Sequence, residues 1–236
     1  VCANARKVTL AKAAELQGEY TAWRMDDTKD LTEAVTNDNT KDHYYNLLGD
    51  TRYVARLNSG LLGFGEKFAT LQAAINAAQT RDGESTIDLL ADVNEKVTAN
   101  TENGAITLNL NRYTLSGSIN LNNAANSNAF TLTDEAKADA KKNSATGLFT
   151  GTGDGIVMGK GSANDVPNTL VLKNVALSNF LHAVTGSNST SVTADGATFE
   201  KYYYYGIRVG GKSTITVKNS TFRDSTTGTG YNSHAL

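Results

Sequence analysis

Hydrophobic and polar residues alternate over much of the chain after residue 85. The alternation is strict at 105–110, and 113–117 and 118–121 continue it with the same period of two. A strand with one buried face shows this pattern, because successive side chains point to opposite faces of the sheet. The segment 86–90 also has a strand pattern and follows a turn at 81–84. The sequence therefore predicts a series of short strands joined by turns.

A helical period replaces the alternation at 68–79. Four apolar residues lie there at positions i, i+3, i+4 and i+7, namely Leu71, Ala74, Ile75 and Ala78. Thr70 precedes them, and a threonine side chain can accept a hydrogen bond from the first turn of a helix. These residues predict a short amphipathic helix over 68–79. Because it precedes the first strands, we expect it to cover the open end of the strand array.

A repeat occurs near the C-terminal end of the chain. The segments 172–177, 194–199 and 217–222 share an apolar-x-turn-x-x-apolar pattern, at steps of 22 and 23 residues. Their turn positions hold Asn or Gly, namely Asn174, Gly196 and Asn219. A second strand is predicted after each segment, at 182–184, 206–209 and 230–232, with steps of 24 residues between them.

The length of this repeat leaves two architectures open, leucine-rich repeats and parallel β-helices. A leucine-rich repeat needs the L-x-x-L-x-L pattern followed by Asn, and a helix on its convex side. The repeats contain instead two or three strands rich in β-branched and aromatic residues. Asn and Gly at the shared turn also tolerate a left-handed backbone. The repeat therefore predicts an all-β protein built as a parallel β-helix, in which each coil pairs with the next.

Two parts of different character follow from these patterns. The segment 1–67 is charged, poor in strand pattern and predicted to be partly helical, with no assignable role. Residues 68–236 are predicted to form the parallel β-helix with its capping helix. A stretch at 124–145 interrupts the alternation and has a helix-favouring composition without an apolar stripe. It is predicted to be an insertion, a loop or short helix that protrudes from one coil.

Composition excludes some classes of function and location. The chain of 236 residues has 22 basic and 24 acidic residues, so it lacks the basic excess of a nucleic-acid-binding protein. No apolar run is long enough for a transmembrane helix. The single cysteine, Cys2, permits no intrachain disulfide, and its role stays open between none and a lipid or intermolecular attachment. Residues 3–5 fit the pattern before a signal-peptidase site, although an ordinary mature N-terminus is equally compatible.

The wording of three segments, 68–78, 86–93 and 106–117, resembles the opening of pectate-lyase-like β-helix domains in bacterial surface proteins and adhesins. In those domains a capping helix leads into the first coils. The resemblance covers residue 68 to the C-terminus and leaves 1–67 unexplained. It implies a right-handed parallel β-helix in a secreted protein or on the bacterial cell surface. It implies no particular activity, because this fold hosts lyases, hydrolases, phage spikes and adhesive stalks.

Candidate catalytic residues are sparse in the repeats. Lyases of the resembled fold use an arginine or lysine base, often with calcium held by carboxylates, and glycosidases need two carboxylates. The only acids between 170 and 236 are Asp195, Glu200 and Asp224, and they form no paired motif. The catalytic candidates are therefore Lys201, Arg208 and Asp224. No calcium-binding motif occurs, so neither a metal site nor a cofactor is predicted.

Four consecutive tyrosines at 202–205 are the most suggestive feature of the repeats. In a strand, alternate side chains face opposite ways, so Tyr203 and Tyr205 are predicted to point outward. Exposed phenol rings can stack on sugar rings, which makes these two residues the candidate carbohydrate-binding site. The alternative is an aromatic ladder that packs against the neighbouring coils.

Two functions of different class remain. The first is a non-catalytic surface protein that acts in adhesion, in carbohydrate binding or as a filament-forming component, with a polysaccharide or a cell-surface glycan as partner. The second is a polysaccharide lyase or glycoside hydrolase, for example of the phage-spike type. The sequence stops at 231–236 without a second cap. We therefore expect either a fragment of a longer protein or head-to-tail self-association through the uncapped C-terminal coil.

Overall fold

The computed structural model describes residues 45–46, 49–58, 65–122, 128–137, 140–141, 144, 146–159 and 167–225. The chain divides into two compact units, Val1–Tyr53 and Val54–Leu236. In the first unit, strands β1 (Tyr45–Asn46) and β2 (Gly49–Arg52) pair antiparallel. Cys2 and residues 3–5 lie outside the described residues, as do the predicted strand 230–232 and the end of the chain.

The second unit is all-β with one helix among its described residues, and its strands form two sheets. In the first sheet the strand order is β18-β15-β12-β9-β7-β5-β3-β4, and in the second it is β17-β14-β11-β8-β10-β13-β16-β19, with β6 also paired to β8. Pairing is parallel throughout, except that β3 is antiparallel to both β4 and β5. The elements in chain order are β3 (Ala55–Asn58), β4 (Glu66–Phe68), α1 (Leu71–Gln79), β5 (Ser85–Leu89), β6 (Val93–Ala99), β7 (Ile106–Asn109), β8 (Thr114–Leu121), β9 (Ala129–Thr133), β10 (Leu148–Thr150), β11 (Asp154–Met158), β12 (Asn168–Lys173), β13 (Ala176–Ser178), β14 (His182–Gly186), β15 (Thr190–Asp195), β16 (Thr198–Glu200), β17 (Tyr205–Val209), β18 (Thr214–Lys218) and β19 (Thr221–Arg223).

The predicted repeat of the first segments is confirmed by strand register. Leu177 of β13 lies beside Phe199 of β16, which lies beside Phe222 of β19, at the predicted steps of 22 and 23 residues. The shared turn position has the predicted left-handed backbone, with φ angles of 50° at Asn174 and 69° at Gly196. Asn and Gly are suited to this turn because they adopt positive φ with little steric strain.

The predicted step of 24 residues between the second strands is wrong. His182 of β14 pairs with Tyr205 of β17, and Val184 pairs with Ile207, which is a step of 23. A slip of one residue exchanges the two faces of a strand. The register was misjudged because Ala183 and Val184 are both buried, so these short strands lack a clean alternation.

The stacked strands enclose a continuous apolar core. Four phenylalanines on inward-facing positions are almost fully buried, namely Phe130, Phe149, Phe180 and Phe199. Phe149 and Phe180 also contact each other, with ring centroids 4.8 Å apart. Because each repeat covers the apolar side chains of the one before, burial continues along the strand array without a separate layer.

Two edges of the predicted organisation differ from the structure. The second unit begins at Val54, before the boundary predicted after residue 67, because β3 and β4 pair with the first sheet. Within the predicted insertion 124–145, β9 is a strand paired in parallel with β7 and β12. It was missed because its inward pattern consists of only two large residues, Phe130 and Leu132.

Helix α1 agrees with the sequence pattern. Its buried residues are the four predicted ones, and the Thr70 hydroxyl accepts a hydrogen bond from the Ala73 N–H at 3.2 Å. The helix begins three residues later than predicted, because Phe68 belongs to β4. The Gln72 side chain accepts from the Thr98 N–H and donates to the Thr98 carbonyl, at 2.7 and 2.9 Å. The helix thus satisfies backbone groups on the edge of β6.

A carboxylate from β6 also completes the start of the helix. The two oxygens of Glu95 accept hydrogen bonds from the N–H groups of Leu71 and Gln72, at 2.9 and 3.1 Å. The first N–H groups of a helix have no partner within the helix, and a negative charge there also interacts favourably with the helix dipole.

We predict that Glu95→Gln lowers the free energy of unfolding by about 1 kcal/mol, because glutamine keeps one acceptor but loses the second acceptor and the charge. Urea unfolding followed by circular dichroism measures the change. Glu84→Gln, at an exposed carboxylate, is the matched control. Equal stability of the two variants would show that Glu95 contributes nothing as a cap.

Candidate functional site

Three outward-facing side chains form a row across β11, β14 and β17. Asp154, His182 and Tyr205 occupy paired positions on these neighbouring parallel strands. The Nδ1 atom of His182 lies 2.6 Å from Oδ1 of Asp154, within hydrogen-bonding distance. The His182 ring stacks on Tyr205, with centroids 5.7 Å apart and an interplanar angle of 14°. Strand pairing therefore fixes the positions of an acid, an imidazole and a phenol side by side.

The turn before β17 adds two more aromatic rings. Tyr204 stacks on His182 with centroids 5.4 Å apart, and Tyr203 contacts Tyr204 edge-on at 4.7 Å. The backbone N–H groups of Tyr203 and Tyr204 donate to the carbonyls of Phe180 and Leu181, both at 2.9 Å. The turn is thereby held against the preceding repeat, which orients both rings.

Arg208 places a positive charge beside these rings. Its guanidinium carbon lies 5.5 Å from the centroid of the Tyr205 ring, and its side chain is exposed. A guanidinium at this distance is attracted electrostatically to the face of a phenol ring. We call these residues together the aromatic patch, which consists of Asp154, His182, Tyr203, Tyr204, Tyr205 and Arg208.

The four consecutive tyrosines divide between the core and the patch. Tyr202 is only 5% exposed and contacts Phe222 edge-on at 6.4 Å. Its burial raises the pKa of its phenol, although a hydrogen bond with Ser225 acts in the opposite direction. Tyr203 and Tyr205, the predicted carbohydrate-binding residues, are half-buried members of the patch. Tyr204 was missed, because it precedes the strand and strand alternation does not apply to it.

The three catalytic candidates occupy different structural positions. Lys201 and Asp224 lie at the same turn of successive repeats, after β16 and β19, with φ angles of 54° and 51°. Both side chains are exposed at residues that shape the turn. Arg208 lies instead on β17, within the aromatic patch. Arg208 is therefore the member of the candidate set that shares a surface with the predicted carbohydrate-binding tyrosines.

Asp154 and His182 were absent from the predicted site. They are 28 residues apart and meet only because β11 and β14 pair in register. His182 is one of three histidines in the chain, which marks it as a rare residue but not as a member of a site. Among the described residues no group of three or more His, Cys, Asp or Glu side chains is arranged to hold a metal ion.

Comparison with known proteins adds no relative to these observations. No known protein family, curated protein or solved structure matches this chain. Across the described ranges of the chain, no helix has the length and apolar character needed to cross a membrane. A function for the aromatic patch therefore has to be inferred from its own chemistry.

This chemistry combines ring surfaces with hydrogen-bonding groups and charge. Tyr205 contacts both His182 and Arg208, so the orientation of its ring is set before any ligand arrives. Rigid aromatic side chains lose little conformational entropy on binding and offer a large contact area. Their hydroxyl groups, the imidazole and the guanidinium add polar contacts. Such a combination suits a polar ligand with apolar C–H faces, which describes a sugar.

Proposed function

We propose that the chain is an extracellular, non-catalytic surface or adhesive protein that binds a glycan at the aromatic patch. The observation that carries this proposal is the outward-facing cluster in which Tyr204 and Tyr205 both stack on His182 beside Arg208. Sugars are recognised by such clusters because their C–H faces pack on aromatic rings while their hydroxyl groups form hydrogen bonds.

The proposed architecture of residues 54–236 is a right-handed, pectate-lyase-like parallel β-helix. Its support is the constant step between paired positions, for example Leu170 with Val192 and then Ile215. A chain that returns to the same sheet position every 22 or 23 residues adds one coil at each return. Extracellular placement is supported by the resemblance of residues 68–117 to the opening of surface-protein domains. Self-association through the C-terminal coil stays a prediction.

We predict that Tyr204→Ala weakens binding of the recognised glycan about ten-fold or more, because the variant removes a ring that both contacts the ligand and orients His182. A glycan array screened with the full chain identifies the ligand, and titration calorimetry measures the affinity. Tyr204→Phe is the matched control, and it should retain most of the affinity because the ring remains. Wild-type affinity in Tyr204→Ala would place the ligand elsewhere.

A polysaccharide lyase or hydrolase is the second candidate, and one observation favours it. The carboxylate of Asp154 contacts Nδ1 of His182, as an orienting group contacts a histidine general base. Incubation with pectin, alginate and a glycosaminoglycan tests for chemistry through unsaturated or shortened products. A product formed by the wild type and absent with His182→Gln would replace the non-catalytic proposal by the enzymatic one.

A further inference from the structure

Arg208 differs from several other cations of the second unit in its surroundings. Many described Arg and Lys side chains contact a carboxylate, as in the pairs Arg56–Asp88, Arg81–Glu66, Lys141–Asp92, Lys173–Glu135 and Arg223–Glu200. Arg208 has no carboxylate within 4 Å among the described residues, and its closest described aromatic neighbour is the Tyr205 ring. Its guanidinium thus presents an uncompensated charge at the edge of the aromatic patch.

His182 gives the same patch a charge that depends on pH. Histidine is the side chain that normally changes charge between about pH 5 and pH 8. Its described neighbours are Asp154 on β11, Tyr204 in the turn, and Tyr205 on β17 with Arg208 beyond it. The carboxylate and the two ring faces favour a positive charge on the imidazole, whereas Arg208 opposes it.

The formal charge of the patch follows from these residues. At neutral pH, with His182 uncharged, the negative charge of Asp154 cancels the positive charge of Arg208. Protonation of His182 gives the patch a net positive charge, and its Nε2 becomes a donor in addition to the guanidinium. Both donors and the net charge then suit a ligand with a negative group.

We propose that the aromatic patch binds an anionic group of a glycan, a carboxylate or a sulfate, and that this binding strengthens when His182 is protonated. The inference rests on the proposed glycan-binding function and specifies its ligand class and its regulation. The Arg208 guanidinium matches the two oxygens of a carboxylate or sulfate with two parallel N–H donors. His182 supplies the second, proton-dependent contact, and the tyrosine rings pack against the sugar.

The experiment titrates the full chain with three probes: an oligogalacturonate, a heparin oligosaccharide and a neutral galactan oligosaccharide. Affinities are measured at about pH 5.5 and about pH 7.5, on either side of histidine titration. We expect at least one anionic probe to bind, and to bind about three-fold to ten-fold more tightly at the lower pH. The two anionic probes distinguish a carboxylate from a sulfate, and the neutral probe should bind weakly at both pH values.

Three variants separate the contributions. His182→Gln should bind with the same affinity at both pH values, close to that of the wild type at the higher pH. Arg208→Gln should weaken binding about ten-fold at both pH values while the ratio between them persists. Arg223→Gln removes a surface arginine that already bonds Glu200 and should behave as the wild type. Thermal unfolding of each variant confirms that it is folded at both pH values.

The possible outcomes separate this inference from the proposed function. A pH effect that survives in His182→Gln, or equal affinity for the neutral probe, overturns the inference while glycan binding at the patch stands. Failure of all three probes together with a blank glycan array overturns the proposed function as well. Loss of anion binding in Arg208→Gln, with loss of the pH effect in His182→Gln, supports the inference.

Discussion

Replacing Asp88 with alanine is expected to lower the free energy of unfolding by about 3 to 4 kcal/mol. The Asp88 side chain is almost fully buried on β5, and it accepts hydrogen bonds from the side chains of Arg56, Asn58 and Asn109, each at 2.8 Å. Alanine would leave these three donors without that acceptor in a region shielded from water. One acidic residue therefore joins β3, β5 and β7.

The ionised form of Asp88 provides this stabilisation, so it depends on pH. Burial by itself raises the pKa of the carboxyl, but hydrogen bonds from Arg56, Asn58 and Asn109 and the charge of Arg56 lower it more, and the net pKa lies below the ordinary 3.8. A carboxyl whose pKa is lower in the folded state stabilises the fold above its unfolded-state pKa. The contribution is lost as pH falls from about 3.8 through the lower folded-state pKa.

Urea unfolding of the wild type, Asp88→Ala and Asp88→Asn across this pH range measures both effects. Asparagine keeps the shape and one acceptor, so its loss should be smaller, about 2 kcal/mol at neutral pH. The difference between wild type and Asp88→Asn should shrink below about pH 3.8, where the wild-type carboxyl takes up its proton. The exposed Asp82 provides the control Asp82→Ala. A loss in Asp88→Ala no larger than in Asp82→Ala would refute the bridging role.

The parts of the fold that local chemistry specifies could be predicted from the sequence. The buried face of α1 follows from four apolar residues at helical spacing, and the repeat follows from apolar residues on either side of an Asn or Gly turn. The register of β14 with β17 could not be predicted in this way, because consecutive buried residues remove the period of two. The antiparallel pairing of β3 with β5 has no signal in either strand alone.

The candidate site was predictable only where it coincides with a sequence motif. The run of tyrosines drew attention to Tyr203 and Tyr205, which are part of the aromatic patch. His182 and Asp154 join them through pairing between strands that are separated by β12 and β13 along the chain. A side chain such as Asp154 acquires its neighbour from the lengths of the intervening turns, and no local pattern of residues encodes those lengths.

The corner within β8 shows how a single glycine decides such a geometry. The sequence predicted two strands at 113–117 and 118–121, whereas the structure has one continuous strand. Its first part pairs with β10 and its last part with β11, and Gly117 lies between them with a φ of 142°. Residues with a Cβ rarely adopt this φ. A Cβ on Gly117 would also overlap the backbone carbonyl oxygen of Glu95, whose side chain caps α1.

Gly117→Ala is therefore expected to destabilise the second unit by about 3 to 5 kcal/mol, because unfavourable backbone strain and a clash with rigid backbone act together. Two glycines separate the causes. At Gly83, where φ is 90° and a Cβ would meet no atom within 4 Å, alanine introduces strain alone and should cost about 1 to 2 kcal/mol. At Gly153, where a Cβ also meets nothing within 4 Å and φ is not strained, Gly153→Ala should be neutral or slightly stabilising. Urea unfolding of the three variants ranks them, and a Gly117→Ala protein as stable as Gly83→Ala would show that β8 moves away from β6 to admit the methyl group.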